Sequence, residues 1–201
     1  MNIKSFLTNK WIRGRKPLSL VSDVLFFILL LMLLVPATRS LLLTGAAAVR
    51  TWVTSPGGPA EKGTPLSDDS RSWILTDLQG REINFESLHG EVIFLNQWAT
   101  WCPPCRAELS SVERLFHDYG TRMKMILLTG EDPQKVKKFV EKQGYTFPVY
   151  IGNAAGTSLA ARTIPSTTII NRAGEMVVSR KGAYNWNARK VRRLIDRLII
   201  N

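Results

Sequence analysis

Residues 98–105 read WATWCPPC and contain both cysteines of the chain, Cys102 and Cys105. Residues 91–98 (EVIFLNQW) are largely apolar and predict a buried strand. Apolar side chains at helical spacing predict a helix from residue 102 to about residue 119. The cysteine pair therefore lies where a strand passes into a helix. Unpaired N–H groups and the positive end of the helix dipole favour a thiolate at the first cysteine, and we expect the second, one turn further along, to be more buried.

Other uses of a cysteine pair fit this sequence less well. Haem attachment needs a histidine directly after the second cysteine, and Arg106 stands there. A zinc site needs four ligands, and only His89 and His117 remain. His117 follows Cys105 in the same predicted helix at a rise of about 18 Å, too far to complete a site. A structural disulfide stays possible, although a two-residue loop restricts the unfolded chain little. The pattern favours redox chemistry and predicts no metal.

The positive charge of the chain is concentrated at its start. Of a formal net charge of +11, residues 1–50 contribute +6, from seven Lys/Arg and one Asp. Residues 1–17 form a basic lead, and the largely apolar residues 18–37 are long enough for a helix to cross about 30 Å of hydrocarbon. We therefore predict a single-pass transmembrane anchor at 18–37, with a cytoplasmic lead and the rest of the chain outside. A cleaved signal peptide and a buried core helix are the alternatives.

The remainder divides into a linker and one folded domain. Residues 38–66 contain a short apolar stretch followed by Pro and Gly clusters, and they predict a juxtamembrane stalk and linker. Residues 67–201 predict a mixed central sheet with helices on both faces, an α/β domain that opens with a β-hairpin. The predicted strands are 72–77, 82–85, 91–98, 124–129, 147–151, 167–171 and 176–180, and the predicted helices are 102–119, 133–143 and 186–200.

These motifs together resemble a known fold and family. WATWCPPC after an apolar strand, with the sequence TIPST at residues 163–167, resembles the thioredoxin fold. The predicted anchor, the extra N-terminal hairpin and Glu108, three residues past the second cysteine, resemble the membrane-anchored TlpA/ResA-type thiol–disulfide oxidoreductases, a group that includes the reductants of cytochrome c maturation. The resemblance covers about residues 67–201. One departure is Ser110, where many relatives have proline.

The resemblance implies a role for several residues. Cys102 would attack a partner's disulfide and Cys105 would resolve the mixed disulfide. Pro165 would be a cis-proline facing the cysteine pair, and the backbone of Ile164 would pair with an extended substrate strand. Glu108 would be a buried carboxyl that exchanges a proton with the cysteines.

The resemblance also implies the surroundings of the cysteine pair. Trp101, Pro103 and Pro104 would line the substrate groove together with Ile164 and Pro165. No cofactor is expected beyond the redox-active Cys102–Cys105 disulfide. Thioredoxin itself has a buried aspartate on the strand before its motif; the matching position here is Asn96, which cannot carry a proton.

The predicted function is thiol–disulfide exchange with protein substrates on the outer face of the bacterial inner membrane, in the periplasm or an equivalent extracytoplasmic space. Reduction, for example in cytochrome c maturation, is the favoured direction, and it needs re-reduction by a membrane electron donor. A disulfide-forming oxidant and a redox-inert docking module are the alternatives. The last predicted helix is rich in Lys and Arg. We interpret these residues as a solvated face and expect no nucleic-acid partner.

Overall fold

The computed structural model describes residues 17–34 and 63–200. The described residues of the N-terminal unit form one helix, α1 (Pro17–Leu34). Except for Pro17, this helix lies within residues 18–37, the segment predicted as an anchor. In the part of the chain that the structure describes, no helix meets both the length and the apolarity required to cross a bilayer. Residues 1–16 of the predicted lead and residues 38–62 of the predicted stalk and linker lie outside the described residues.

The second unit is built on one eight-stranded mixed sheet. Across the sheet the strands follow the order β1-β8-β7-β4-β5-β6-β2-β3. Strand β5 pairs parallel with β4 and with β6, and the other neighbours pair antiparallel. The strands are β1 (Thr64–Pro65), β2 (Ile74–Asp77), β3 (Glu82–Asn84), β4 (Ile93–Gln97), β5 (Lys124–Thr129), β6 (Val149–Ile151), β7 (Ser166–Ile170) and β8 (Glu175–Lys181).

Among residues 63–200, four α-helices and one 3-10 helix accompany the sheet. They are α2 (Asp68–Arg71), the 3-10 helix (Phe85–Leu88), α3 (Pro103–Tyr119), α4 (Pro133–Gln143) and α5 (Arg189–Ile200). Helix α4 begins at Pro133, where a missing N–H costs nothing, and its end is capped by Gly144 in the left-handed region at φ 68°.

The central strand β4 divides the core between the two faces of the sheet. All five of its residues are buried. Phe94 packs in a cluster with buried residues of α3, α4 and α5. Ile93 and Leu95, which point to the opposite face, pack with residues such as Phe85 and Leu88 of the 3-10 helix. The three long helices therefore contribute to the same core cluster.

The expectation of helices on both faces of the sheet is wrong for these three long helices. The chain passes from β4 through α3 to β5, and from β5 through α4 to β6, always toward the same edge of the sheet. Parallel crossovers are right-handed, so two successive crossovers in one direction place their helices on one face. The sequence pattern gave the element types but not the strand order on which this placement depends.

Several boundaries also differ from the sequence prediction, most by one or two residues, and three of them change an element. Thr64 and Pro65, within the predicted linker, form the edge strand β1 against β8. Phe85, predicted as the end of a strand, begins the 3-10 helix, because the Asn84 side chain accepts a hydrogen bond from the Glu86 N–H and caps it. The last helix begins at Arg189 rather than at residue 186.

Candidate active site

The two cysteines are joined in a disulfide at the start of α3. Cys102 is the N-cap residue of this helix, and its Sγ accepts a hydrogen bond from the Cys105 N–H at 3.3 Å. The Cα atoms of the pair are 5.3 Å apart. Pro103 and Pro104 occupy the first helical turn, where no N–H is needed. Cys102 is 4% exposed and Cys105 fully buried, which agrees with the expectation that the second cysteine is the less accessible.

The residues predicted for the substrate groove lie partly together. Trp101 is 65% exposed. It shares a groove of about 300 Å³ with Ile164 and with residues at the ends of β4 and β5. The Ile164–Pro165 peptide bond is cis, as the sequence predicts, and Pro165 is buried. Pro103, Pro104 and Pro165 do not line this groove. The role of these residues in binding a substrate stays a prediction.

Glu108 lies three residues after Cys105, on the same side of α3, and its side chain is completely buried. Its Oε1 accepts a hydrogen bond from Asn96 Nδ2 at 2.7 Å. Its Oε2 accepts from the Tyr184 N–H at 3.0 Å and from Trp186 Nε1 at 2.9 Å. Burial raises the pKa of Glu108 to about 7, against the opposing effect of these hydrogen bonds, which stabilise the ionised form. A carboxyl poised near neutrality beside a cysteine pair can give and take protons at physiological pH.

The Asn96 side chain connects Glu108 to the neighbouring strand. Asn96 lies in β4, is fully buried, and its Nδ2 also donates to Thr167 Oγ1 at 2.7 Å. Its Oδ1 is buried and has no hydrogen-bond partner within residues 17–34 and 63–200. Asn96, which cannot carry a proton, therefore contacts Glu108, which is predicted to exchange one with the cysteines.

Two of the residues that hold this site were missed by sequence reasoning. Trp186 was interpreted as the first residue of the last helix. Instead it is completely buried before that helix, with its ring 5.3 Å from that of Phe94 in an edge-to-face contact. The sequence prediction gives Glu131 no role. A buried tryptophan's need for a hydrogen-bond acceptor is a signal in favour of such a role, but it does not say which acceptor.

Glu131 fixes the chain just before the cysteine motif. Its Oε2 accepts the Thr100 N–H at 2.5 Å, its Oε1 accepts the Thr100 hydroxyl at 2.8 Å, and Lys135 Nζ donates to the same Oε1. Burial raises the pKa of Glu131, but the hydrogen bonds from Lys135 and Thr100 outweigh this effect and hold the pKa below its usual value. The carboxylate therefore remains ionised and ties the loop before Cys102 to the loop after β5.

The fold is a thioredoxin-like α/β fold. One similar solved structure is a thiol:disulfide interchange protein of the thioredoxin family from Chlorobium tepidum TLS. It has a TM-score of 0.54 and 22% identity, over 68% of this chain and 99% of that one. Another is a DsbF homologue from Corynebacterium diphtheriae, with a TM-score of 0.55 and 18% identity, over 72% of this chain and 99% of that one. At these identities the likeness concerns the fold alone.

The family follows from the sequence comparison. Residues 67–179 match the model of the AhpC/TSA family, and the chain belongs to that family. It is similar to proteins named thiol-disulfide oxidoreductase ResA. The one from Halalkalibacterium halodurans is 34% identical over 110 residues, which is 53% of this chain and 62% of that protein. The one from Geobacillus kaustophilus is 35% identical over 108 residues, 52% of this chain and 62% of that protein. The matches thus cover less than two thirds of these relatives.

Proposed function

We propose that this protein is a protein thiol–disulfide oxidoreductase that exchanges disulfides through Cys102 and Cys105. The observation that carries the proposal is the disulfide at the N-terminus of α3, with a buried carboxyl of raised pKa one turn beyond it. The similarity to proteins named thiol-disulfide oxidoreductase ResA supports the same chemistry. The position of Cys102 at the N-terminus of α3 agrees with it, since the unpaired N–H groups there favour a thiolate.

The reaction balances as a two-electron exchange. In the reduced protein the Cys102 thiolate attacks a partner disulfide, forms a mixed disulfide and releases one partner thiolate. Cys105 loses its proton to the Glu108 carboxylate and attacks the Cys102 sulfur. The mixed disulfide breaks and the second partner thiolate leaves. Glu108 then passes the Cys105 proton to a departing partner thiolate and is a carboxylate again, and solvent supplies the second proton. The partner has gained two electrons and two protons, and the protein is left with the Cys102–Cys105 disulfide.

We further propose that the domain works on the outer face of the bacterial inner membrane, tethered by its N-terminal segment. The support is in the sequence: the basic lead of residues 1–17 followed by the apolar residues 18–37. Reduction of protein disulfides, with cytochrome c maturation as one setting, is the direction that we propose. A membrane electron donor would then restore the dithiol, because such a compartment is oxidising.

Trapping tests the proposed exchange. With Cys105→Ser, the attacking sulfur remains but the mixed disulfide cannot be resolved, so a covalent adduct through Cys102 should accumulate in the membrane fraction and dissolve in reductant. The matched control is Cys102→Ser with Cys105 intact, which should trap little because the buried Cys105 is inaccessible. Full exchange activity with Cys102→Ser would contradict the proposal and favour a docking module.

The direction of exchange has its own test. Equilibration of the protein with glutathione buffers gives the reduction potential of the pair. A value well below about −200 mV supports a reductase, whereas a value near −120 mV is that of a strong oxidant and would reverse the proposed direction.

Carbonate extraction of membranes tests the proposed tethering, because it releases peripherally bound proteins and leaves membrane-inserted ones in the pellet. Full-length protein should stay in the pellet, and protein lacking residues 1–37 should not.

A further inference from the structure

The two carboxyl oxygens of Glu108 have different kinds of neighbour. Oε2 accepts from the Tyr184 backbone N–H and from the Trp186 indole N–H. Both groups can only donate a hydrogen bond. A proton placed on Oε2 would therefore point at N–H hydrogens and would break one or both bonds. The environment of Oε2 suits an oxygen that stays an acceptor in both protonation states.

Oε1 instead faces a group that can change from donor to acceptor. Its partner is the Asn96 amide, whose Nδ2 donates to it at 2.7 Å while Oδ1 stays buried without a partner. A half-turn about the Asn96 χ2 angle would place Oδ1 where Nδ2 now lies. That oxygen could then accept a hydrogen bond from a protonated Oε1.

Thr167 fits both orientations of this amide. Its Oγ1 accepts from Asn96 Nδ2 at 2.7 Å in the present orientation. A threonine hydroxyl can also donate, so it can turn toward Oδ1 after the amide has rotated. Before the rotation, the Oδ1 end of the Asn96 amide lacks a hydrogen-bond partner. After the rotation, Oδ1 has partners and the Nδ2 end lacks one instead.

We propose that Trp186 and the Tyr184 N–H keep Oε2 of Glu108 an acceptor throughout, so that the exchanged proton resides on Oε1, and that the Asn96 amide turns over each time this proton is gained or lost. The inference deepens the proposed function and rests on it. The proton comes from the Cys105 thiol, as Cys105–SH and Glu108–COO⁻ become Cys105–S⁻ and Glu108–COOH, with no electron moved. Asn96 and Trp186 are positioning residues in this scheme.

The groups that contact the Glu108 carboxylate are neutral. Asn96 comes from β4, and Tyr184 and Trp186 come from the segment before α5. On its own helix the neighbouring titratable group is Cys105, which is in the disulfide. Among the described residues, no charged side chain contributes to the shifted pKa of Glu108. N–H donors alone thus stabilise its negative charge, so the loss of one donor should raise the pKa of Glu108 further.

Nuclear magnetic resonance of the oxidised full-length wild-type chain between pH 5 and 9 tests where the proton resides. The Glu108 carboxyl carbon, the Asn96 side-chain amide and the Trp186 indole N–H should all change with one midpoint near pH 7. The Trp186 indole hydrogen should remain protected from exchange on both sides of that midpoint, while the Asn96 amide hydrogens change their shifts and protection. Loss of protection at the Trp186 indole in the acid form would place the proton on Oε2 and overturn the proposal. So would an Asn96 amide that does not respond.

Two tryptophan substitutions provide a matched comparison. Trp186→Phe removes the donor to Oε2 but keeps an aromatic ring, and it should raise the Glu108 midpoint by about one to two pH units, because a hydrogen bond to a charged group is lost. Trp98→Phe is the control. Trp98 is also buried, at 2% exposed, but its Nε1 has no hydrogen-bond partner among the residues that the structure describes, so the Glu108 midpoint should stay in place. Equal shifts in both variants, or none in Trp186→Phe, would contradict the role of the indole.

These readouts separate the inference from the proposed function. The titration needs only the oxidised protein and no partner, so it can succeed or fail whatever the trapping experiment shows. Adduct formation with an unresponsive Asn96 would retain the oxidoreductase and reject the amide rotation. A responsive Asn96 without any adduct would retain the proton placement and reject exchange as its purpose. If Trp186→Phe does not fold, the wild-type titration still decides.

Discussion

Raising the pH from 5 to 8 should destabilise the oxidised protein through Glu108. In the folded state this buried carboxyl has a pKa of about 7, and its ordinary value is 4.5. Between these two values the folded chain holds a proton that the unfolded chain has released. The free energy of unfolding then falls as the pH rises, by about 1.4 kcal/mol per pH unit. Over the whole interval this amounts to about 3 kcal/mol, fully present below pH 4.5 and lost as the pH passes 7.

The variant Glu108→Gln isolates this contribution. Glutamine has nearly the same shape and can accept at its oxygen from Trp186 and Tyr184, but it does not titrate. Guanidinium unfolding of the oxidised full-length protein, followed by tryptophan fluorescence at pH 5, 6, 7 and 8, should show the decline in the wild type. The variant should show a much flatter profile. The wild-type-minus-variant difference cancels the contributions of other titrating groups.

Two results would refute the reasoning. One is a wild-type profile as flat as that of Glu108→Gln, which would mean that Glu108 is already ionised, or equally protonated, in both states. The other is a profile that rises with pH in the wild type alone, which would mean that the N–H donors around the carboxylate outweigh its burial. A decline of equal slope in both proteins would assign the effect to other groups.

Three further predictions concern stability and partner binding. Glu113→Ala should lower the free energy of unfolding by about 1–3 kcal/mol in urea titrations, because its carboxylate accepts hydrogen bonds from the N–H groups of Thr146 and Phe147. The same mutation at an exposed glutamate should lower it far less. Gly144→Ala should cost about 1–2 kcal/mol by the same assay, since φ there is 68°; an unchanged midpoint would show that the cap is not needed. Trp101→Ala should leave the thermal midpoint nearly unchanged, because this ring is 65% exposed. Combined with Cys105→Ser it should reduce adduct capture, and undiminished capture would show that Trp101 does not contribute to partner binding.

Local sequence signals were sufficient for most elements of the domain. Pro133 and Gly144 mark the two ends of α4 because their backbone constraints act within one turn. The helix after the cysteine motif runs to Tyr119, as its apolar spacing predicts. The burial of Glu108 and the cis bond before Pro165 were expected from the family resemblance rather than from composition or spacing.

Contacts between distant segments explain what the sequence did not predict. Trp186 and Glu108 are 78 residues apart, and their hydrogen bond depends on how the segment before α5 packs against the N-terminal half of α3. Glu131 and Thr100 meet because β4 and β5 are parallel neighbours, which brings the ends of both strands to one edge of the sheet. Pro65 is a residue type depleted in strands, and Thr64 and Pro65 form one through pairing with β8.

The outermost strands of the sheet have a consequence for how molecules of this protein meet one another. One border is formed by β1, which is two residues long and includes Pro65, a residue with no N–H to offer. The opposite border is β3, three residues long. Both border strands are too short to template an incoming chain. Among the described residues, however, β1 pairs with β8 only at Glu175 and Met176, and β8 continues beyond it from Val177 to Lys181. Strand-to-strand association of two molecules should therefore begin along this part of β8 rather than at β1 or β3.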